Sequence, residues 1–359
     1  MNHRKAYSSV AEAMVLPRVI ALDKNLYGAA FFLMKLLPAW FMLERARDAG
    51  LVEPGTVVVE TTSGTFGLAL AIVCKLAGYR LIVVSDSAID LPFQRRLEEL
   101  SARVEIVREP SANGGLQGAR LERLNELRAQ HPNHFWPSQY HNPHNPGAYA
   151  RLAELLVEVV GSIDCLVGTV GSGGSMSGTG GYLRLLFPHL HVIGVDTHGS
   201  VLFGQPDHKT RLLRGLGNSL MPKNLKHSTF DEVHWLAGAE AFAAARELHA
   251  SQALFMGPTS GAAYRVAKWW AAKHPDAKVV TLFPDEGYRY QETVYNDQWL
   301  RLNGISLSGL ATEPRLVSEP LSAGPEWSHM HWDNRRYEEV MGSGFQTVKD
   351  KDENLVCVY

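Results

Sequence analysis

The sequence has few cysteines, and they form no recognisable pattern. Cys74, Cys165 and Cys357 are odd in number and far apart, which argues against a disulfide framework and against a C-x-x-C pair for a metal or for redox chemistry. Long apolar runs are missing too: residues 29–43, the most apolar early stretch, contain a lysine and a proline and are too short to span a bilayer. No secretory signal is recognisable before Val15. We therefore expect a cytoplasmic protein in a reducing compartment.

The chain also lacks an excess of charge of either sign. Its 35 Lys and Arg residues and 37 Asp and Glu residues give a formal net charge of −2 over 359 residues. Nucleic acids and anionic membranes favour a basic surface, so neither is an expected partner. Hydrophobic residues make up 45% and charged residues 20% of the chain, as in a folded enzyme rather than a disordered protein. The length favours about two domains.

Short β-branched runs alternate with longer stretches of helical spacing from Thr56 onward. This alternation predicts an α/β fold in two lobes, with parallel sheets flanked by helices. The predicted strands are residues 57–60, 81–84, 104–107, 165–168, 191–195 and 278–283. The predicted helices include residues 40–50, 66–77 with Gly78 placed to end it, 91–101, 148–160 and 239–250. The alternation fades beyond Ile305, so residues 306–359 are predicted to form an extension that packs on the surface or on a partner subunit.

The strongest local motif is the loop Val170-Gly171-Ser172-Gly173-Gly174-Ser175, which follows a predicted strand and opens a predicted helix. Its glycines let successive backbone N–H groups converge, its serines add hydroxyl donors, and the helix N-terminus favours an anion. The loop has neither the Lys of a Walker motif nor the spacing of a dinucleotide fingerprint. It therefore predicts a phosphate cradle, and a glycine-rich loop without a ligand is the alternative.

Two further hydroxyl-rich loops also open predicted helices. The first is Thr61-Thr62-Ser63-Gly64-Thr65, whose hydroxyls could hold a carboxylate at the helix N-terminus. A plain capping role for Ser63 or Thr65 is the alternative. The second is Gly257–Ala263. Three such helix starts suit a phosphorylated cofactor together with a carboxylate substrate.

Six motifs occur in a characteristic order along the chain. They are the Thr62-Ser63-Gly64 loop, Gln139–Pro146, the Gly171–Ser175 cradle, Gly215–Asn218, Gly257–Ala263 and Pro284–Tyr290. This order resembles the fold-type II pyridoxal-phosphate (PLP) enzymes, and within them the cysteine synthase and cystathionine β-synthase group. The resemblance runs from about Pro17 to Gly304 and implies a tryptophan synthase β-like fold. Glu109–Gly115, Gly199–Gly204 and Thr293–Trp299 further resemble the branch that makes N-(2-amino-2-carboxyethyl)-L-glutamate.

The resemblance implies that PLP is the cofactor and assigns roles to individual residues. It places Thr259 against the pyridine nitrogen, where a neutral hydroxyl leaves a weak electron sink suited to losing a β-substituent. It implies that Thr62, Ser63 and Gln139 hold the α-carboxylate of the substrate; an amide that anchors the loop is the alternative for Gln139. The residues implied to bind the cofactor phosphate are Gly171, Ser172, Gly173, Gly174 and Ser175.

Two features depart from the family pattern. Thr65, followed by the bulky Phe66, stands where the family has an Asn that contacts the 3′-oxygen of the cofactor. The family's segment around the Schiff-base lysine is absent as usually written, and the nearest candidate is Lys35, which precedes the predicted helix 40–50. Residues 31–36 also resemble the family's preceding strand, in which case the catalytic segment has been lost. We favour Lys35, because its position before this helix and 25 residues ahead of Glu60 fits the family's spacing. A solvated surface lysine is disfavoured, because an ammonium among apolar neighbours needs a partner or a lowered pKa.

These features predict a PLP-dependent transferase that performs β-replacement on an O-activated L-serine. A β-elimination lyase is one alternative, and a catalytically inactive homologue that binds a partner is another. The resemblance implies a homodimer with a larger cofactor-binding lobe (residues 1–55 and 151–305), a smaller substrate-loop lobe (residues 56–150) and the C-terminal extension. No metal site is predicted, because the pairs His131/His134 and His141/His144 have no Cys or Glu to complete a ligand set.

Overall fold

The computed structural model describes residues 6–87, 89–112, 115–208, 212 and 215–342. Cys357 and Asn113-Gly114 of the predicted branch segment lie outside the described residues. The strands are β1 (Arg18–Ala21), β2 (Leu26–Ala30), β3 (Val57–Thr61), β4 (Arg80–Asp86), β5 (Arg103–Val107), β6 (His134–Phe135), β7 (Cys165–Thr169), β8 (His191–Thr197), β9 (Glu232–Leu236), β10 (Val279–Phe283), β11 (Arg315–Leu316) and β12 (Ser328–His331). The helices are α1 (Val10–Met14), α2 (Leu36–Asp48), α3 (Thr65–Ala77), α4 (Leu91–Glu99), α5 (Gly115–Gln130), α6 (His144–Gly147), α7 (Ala150–Val160), α8 (Gly174–Leu186), α9 (Gly238–Gln252), α10 (Pro258–Lys273), α11 (Asp297–Leu302) and α12 (Tyr337–Met341).

The chain divides into two compact units. The first unit contains the residues up to Leu16 together with Leu33–Gln139, and the second contains Pro17–Phe32 and the residues from Tyr140 onward. The predicted lobes had different boundaries: residues 6–16 and 33–55 were predicted in the larger lobe and residues 140–150 in the smaller one, whereas the structure places each in the other unit. The difference arises because β1 and β2 pair with the sheet of the second unit, whereas α2 packs on α3 of the first.

The first unit is built on a sheet of four parallel strands in the order β5-β4-β3-β6. Its β3 and β4 are almost fully buried, as expected of a parallel sheet covered by helices. Helix α3 ends as predicted at Gly78, which adopts the left-handed conformation (φ 73°) and donates its N–H to the carbonyl of Cys74. The predicted α/β class is confirmed in this unit.

The second unit is built on a sheet whose described strands follow the order β1-β2-β10-β7-β8-β9-β12-β11. The five neighbouring strands β2, β10, β7, β8 and β9 are parallel to one another. At the two sides of this group, β1 is antiparallel to β2, and β12 is antiparallel to β9. Helices α9 and α10 pack on each other and bury a large apolar cluster. This arrangement places the loops after β7 and β10 at the same edge, because adjacent parallel strands end on the same side.

Part of the predicted C-terminal extension continues this sheet. Strand β12 pairs with β9, and β11 pairs with β12. Trp327 and Trp332 anchor the segment, with at most 1% of either residue exposed. No helix in the described part of the chain is long and apolar enough to cross a membrane.

Candidate active site

The Thr62 loop joins β3 to α3 in the first unit. Thr62 is buried, and its Oγ1 accepts a hydrogen bond of 3.1 Å from the backbone N–H of Gly64. Gly64 is the N-cap of α3 and, as a glycine, makes no side-chain capping bond. The first N–H groups of a helix have no partner within the helix. At the start of α3 these groups lie next in the chain to the hydroxyl-bearing residues Thr62, Ser63 and Thr65.

Gln139 lies at the same edge of the four-stranded sheet as the Thr62 loop. It follows β6, which is parallel to and paired with β3. Its residue is buried, and its backbone N–H donates to Oε2 of Glu60, at the end of β3, over 3.4 Å. The structure therefore brings together the elements that carry Thr62, Ser63 and Gln139, which the sequence separates by more than seventy residues.

Glu60 is a site residue that the sequence analysis did not single out. Only 2% of it is exposed, and its Oε1 accepts hydrogen bonds from the N–H of Thr61 at 2.9 Å and from the indole of Trp136 at 3.1 Å. Burial raises the pKa of Glu60 to about 7, although these hydrogen bonds oppose the shift. The available signal was a carboxylate directly after the apolar run Val57–Val59, where an unpaired charge is costly.

Lys35 immediately precedes α2 in the first unit. It is the N-cap residue of that helix and has helical dihedral angles (φ −65°, ψ −12°), without a side-chain capping bond. Its neighbours Met34, Leu36 and Leu37 are buried. Burial lowers the pKa of the Lys35 amine to about 8. A desolvated lysine of this kind has a larger fraction of neutral, nucleophilic amine near neutral pH than an exposed one.

The glycine- and serine-rich cradle joins β7 to α8 in the second unit. Ser172 and Ser175 are both buried, and α8 begins at Gly174, with Gly173 as an N-cap that makes no side-chain capping bond. The N-terminus of this 13-residue helix therefore presents its first N–H groups to the loop. Backbone donors, buried hydroxyls and the positive end of a helix dipole converge here, as phosphate binding requires.

Glycine is required at the centre of the cradle. Gly173 has a φ of 79°, and a Cβ added there would lie 2.5 Å from the Cα of Leu225. A side chain would therefore be strained in the backbone and would collide with a neighbouring segment. Gly171 is less constrained sterically: its Cβ would lie 3.4 Å from the carbonyl oxygen of Gly215.

The Gly215 loop connects the cradle to Thr259. The N–H of Gly217 donates to the carbonyl of Val170, directly before the cradle, over 3.0 Å. On the other side, a Cβ at Gly215 would lie 3.8 Å from Cγ2 of Thr259. Within the second unit, the structure thus brings together the predicted phosphate-binding residues and the residue predicted to face the pyridine nitrogen.

Thr259 is the second residue of α10 and is buried. Its hydroxyl hydrogen-bonds to Asp285, which follows β10. Tyr290 donates its hydroxyl to Oδ2 of the same carboxylate over 2.8 Å. Burial raises the pKa of Asp285 to about 6, while the hydrogen bonds from Tyr290 and Thr259 act in the opposite direction. Asp285 and Tyr290 were quoted within the sequence motif but were not assigned a role.

A family model described as "Pyridoxal-phosphate dependent enzyme" matches residues 34–285 of the chain. The chain belongs to this family, and PLP is its cofactor. The cradle fits the group: it combines buried hydroxyls, open helix N–H groups and a glycine that cannot be replaced. The family resemblance predicted from the sequence is thereby confirmed.

Individual similar proteins give a more specific comparison than the family model. The chain is 34% identical over 297 residues to an N-(2-amino-2-carboxyethyl)-L-glutamate synthase of Cupriavidus metallidurans, covering 80% of this chain and 87% of the relative. Among solved structures it is similar to the O-acetylserine dependent cystathionine beta-synthase of Helicobacter pylori (26% identity, TM-score 0.73, 81% of this chain and 99% of the other). It also shares its fold with an O-ureido-L-serine synthase (23% identity, TM-score 0.74, 82% and 96% covered).

Proposed function

We propose that this protein catalyses PLP-dependent β-replacement on an O-activated L-serine, with the amine of L-glutamate as the nucleophile. The cradle at the N-terminus of α8 is the observation that carries the proposal, because it supplies the phosphate site that a PLP enzyme needs. The name of the similar synthase indicates the nucleophile. The product that it names is an L-glutamate whose amine carries a three-carbon amino acid. That group is the skeleton of serine joined through its β-carbon.

The second unit holds the cofactor in this proposal. Ser172, Ser175 and the N–H groups of Gly173 and Gly174 bind the phosphate, together with Gly171. The family resemblance assigns Thr259 to the pyridine nitrogen of the cofactor and Thr65 to its 3′-oxygen. When bound, PLP supplies an electron sink that stabilises negative charge at the α-carbon of the substrate.

The family resemblance also assigns the reacting lysine and the residues that bind the carboxylate. Lys35 would hold the cofactor, and its amine would accept the α-proton of the substrate. Its pKa of about 8 suits both roles, since the amine must lose and regain a proton near neutral pH. Thr62, Ser63 and Gln139 bind the α-carboxylate, and Glu60 fixes the backbone of Gln139.

The bond changes follow from these positions. Removal of the α-proton allows the bond between the β-carbon and the activated oxygen to break, and acetate or phosphate leaves with the electron pair. The glutamate amine then attacks the β-carbon, forms a C–N bond and loses a proton. Return of a proton to the α-carbon completes the product.

The test is a product assay on PLP-loaded protein. O-phospho-L-serine and O-acetyl-L-serine are each supplied with L-glutamate, with sulfide or with no nucleophile, and the products are identified by mass spectrometry. Formation of the glutamate adduct supports the proposal. Pyruvate and ammonia as the main products in every mixture would show a β-elimination lyase, and no turnover of either serine would show an inactive homologue.

The homodimer and the cytoplasmic location predicted from the sequence remain part of the proposal. Cys74 and Cys165 are free and buried, which suits a reducing compartment. Light scattering of the loaded protein tests the dimer, and a mass of one chain would contradict it.

A further inference from the structure

The C-terminal segment, residues 315–341, belongs to the second unit and lies beyond the family match, which ends at residue 285. Its strand β12 pairs with β9, which in turn pairs with β8. The 199–205 segment follows β8 at the carboxyl end of the parallel strands, the edge at which the cradle follows β7. Contacts between these two segments therefore reach the sheet edge that carries the cradle.

Gln205 joins the two segments through its side-chain amide. Only 6% of the residue is exposed. Its Nε2 donates hydrogen bonds to the backbone carbonyls of Pro320 and Ala323, each over 3.2 Å. Its Oε1 accepts a hydrogen bond from the backbone N–H of Gly199 over 2.8 Å. A rotated amide would place N–H against N–H and oxygen against oxygen, so these partners fix its orientation.

Apolar side chains pack the two segments together around this amide. A Cβ added at Gly204 would collide with Sδ of Met341 and would lie 3.2 Å from Cβ of Pro320. Phe203 packs edge-to-face on Trp332, with the ring centroids 5.1 Å apart, which is a preferred geometry for aromatic rings. Both of these aromatic residues are fully buried. The C-terminal segment therefore forms part of the packed interior around the 199–205 segment.

Ser200 continues the connection toward the cradle. It is fully buried, and its Oγ accepts a hydrogen bond from the backbone N–H of Asn218 over 3.1 Å. Asn218 belongs to the Gly215 loop, in which Gly217 donates its N–H to the carbonyl of Val170, directly before the cradle. Hydrogen bonds and covalent neighbours thus connect the C-terminal segment with the cradle through the 199–205 segment and the Gly215 loop.

We propose that Gln205 is a positioning residue for the cofactor phosphate, through which the C-terminal segment strengthens cofactor binding. Gln205 holds the 199–205 segment, which fixes the Gly215 loop and with it the backbone N–H groups of the cradle. Convergent N–H groups form a good anion site only while their directions are maintained. The proposal rests on the proposed role of the cradle in binding phosphate and is independent of the reaction that the protein catalyses.

The first test measures the Kd for PLP by titration of cofactor-free protein. Gln205→Met has a similar length but loses the three hydrogen bonds, and Gln205→Glu keeps an acceptor for Gly199 but presents a carboxylate to the carbonyls of Pro320 and Ala323. We expect each variant to raise the Kd about 5- to 10-fold. Gln298→Ala is the matched control, because Gln298 is an exposed glutamine of the same unit, and its Kd should be unchanged.

The unfolding temperature of each cofactor-free variant is measured alongside, and the titrations are made well below it. A merely structural role would lower that temperature and leave the Kd of the folded protein unchanged. An unchanged Kd in Gln205→Met would overturn the proposal. An unchanged Kd in Gln205→Glu alone would also overturn it, because the bond to Gly199 would then suffice without the C-terminal segment.

The second test uses the reciprocity of such coupling, since bound PLP must favour the docked C-terminal segment by the same factor. The N–H of Arg315 donates to the carbonyl of Trp327, and that of Val317 to the carbonyl of His329. The hydrogen exchange of these two amides therefore reports whether the segment is docked. PLP should slow this exchange in the unmodified protein and in Gln298→Ala, and clearly less in Gln205→Met.

The outcomes separate this inference from the proposed function. Equal exchange with and without PLP in the unmodified protein would overturn the inference. A protein that binds no PLP would contradict the cradle and, with it, both proposals. Slower exchange with PLP, together with a raised Kd in both Gln205 variants but without turnover of an activated serine, would support this inference and contradict only the proposed reaction.

Discussion

Gln139 donates its backbone N–H to the buried carboxyl group of Glu60, across two neighbouring strands of the first unit. The bond joins positions 79 residues apart, and Glu60 also accepts from Trp136, three residues before Gln139. One side chain at the end of β3 thus holds the backbone of the segment that leads to Gln139. If Gln139 binds the substrate carboxylate, Glu60 acts on the substrate through it.

This contact predicts the behaviour of Glu60→Gln. Because the pKa of Glu60 rises from 4.5 to about 7 on folding, the folded state holds more protons between these values. Its stability should therefore fall as the pH rises from 4.5 to 7, by roughly 3 kcal/mol. Glu60→Gln should remove that part of the pH dependence, as measured by urea unfolding at several pH values. An unchanged profile would contradict a protonated Glu60.

The same substitution should affect substrate binding more than chemistry. We expect KM for the activated serine to rise several-fold while kcat changes little, because an uncharged amide loses one acceptor for the 136–139 segment. Glu105→Gln is a suitable control, since Glu105 is on β5 of the same sheet and pairs with Arg123. A loss of kcat without a change in KM would argue against a positioning role.

The cradle predicts that Gly173→Asp eliminates cofactor binding. The substitution adds a carboxylate where the phosphate binds and forces a side chain into a left-handed position beside Leu225. Gly181→Asp is the matched control on the same helix, because a Cβ at Gly181 has no neighbour within 4 Å. After dialysis, the control should keep its cofactor absorbance and Gly173→Asp should lose it. Equal cofactor content in both variants would show that the phosphate binds elsewhere.

Asp285 predicts a pH-dependent change in the environment of the cofactor. Burial raises the pKa of this carboxyl group to about 6, and the group hydrogen-bonds to Thr259. An ionised carboxylate can only accept hydrogen bonds, so its ionisation changes whether the Thr259 hydroxyl donates to it or accepts from it. The cofactor absorbance should therefore change around pH 6, and Asp285→Asn should remove the change. Tyr290→Phe deletes a hydrogen bond that lowers this pKa, and the midpoint should rise. A midpoint that is the same in all three proteins would exclude Asp285 as its origin.

The neighbouring Asp285 limits which substitutions can test Thr259. Thr259→Asp would place a second carboxyl group beside the buried one of Asp285, and two carboxyl groups in one buried site raise the pKa of one of them. Such a variant would not report cleanly on a carboxylate facing the cofactor. Thr259→Ser keeps the hydroxyl and is the conservative comparison.

Local patterns were sufficient to predict the α/β class and six of the twelve described strands. Strands such as β3 and β7 are continuous apolar runs, and the helices after them begin at glycine- or hydroxyl-rich loops, so their order indicated an α/β protein. Strands β1, β2, β6, β9, β11 and β12 were not predicted. The last two are only two and four residues long and alternate little. Their place in the sheet depends on pairing with β9, about ninety residues earlier.

The role of a site residue could be predicted only where the residue belongs to a recognisable motif. Gly173 and Thr259 belong to contiguous loops whose composition indicates an anion site, and the family resemblance assigned their roles. Glu60 and Asp285 act through contacts with residues that are distant in sequence or on another element. A single sequence shows the residue types at those positions but not the contacts, so their roles required the structure.

Lys35 is the residue on which the proposed activity depends. Its pKa of about 8 predicts that cofactor-free protein reacts with PLP faster as the pH rises, with a midpoint near 8 rather than near that of an exposed lysine. Lys35→Ala should fold and should lose covalent attachment of the cofactor. Lys75→Ala is the control, since Lys75 is exposed on α3 and hydrogen-bonds to Ser101.

The most direct test is borohydride reduction of PLP-loaded protein followed by peptide mass spectrometry. We expect a single modified peptide, in which the reduced cofactor is attached to Lys35. Attachment to Lys24, Lys75 or another lysine, or no attachment at all, would contradict the assignment of Lys35 and with it the proposed β-replacement mechanism.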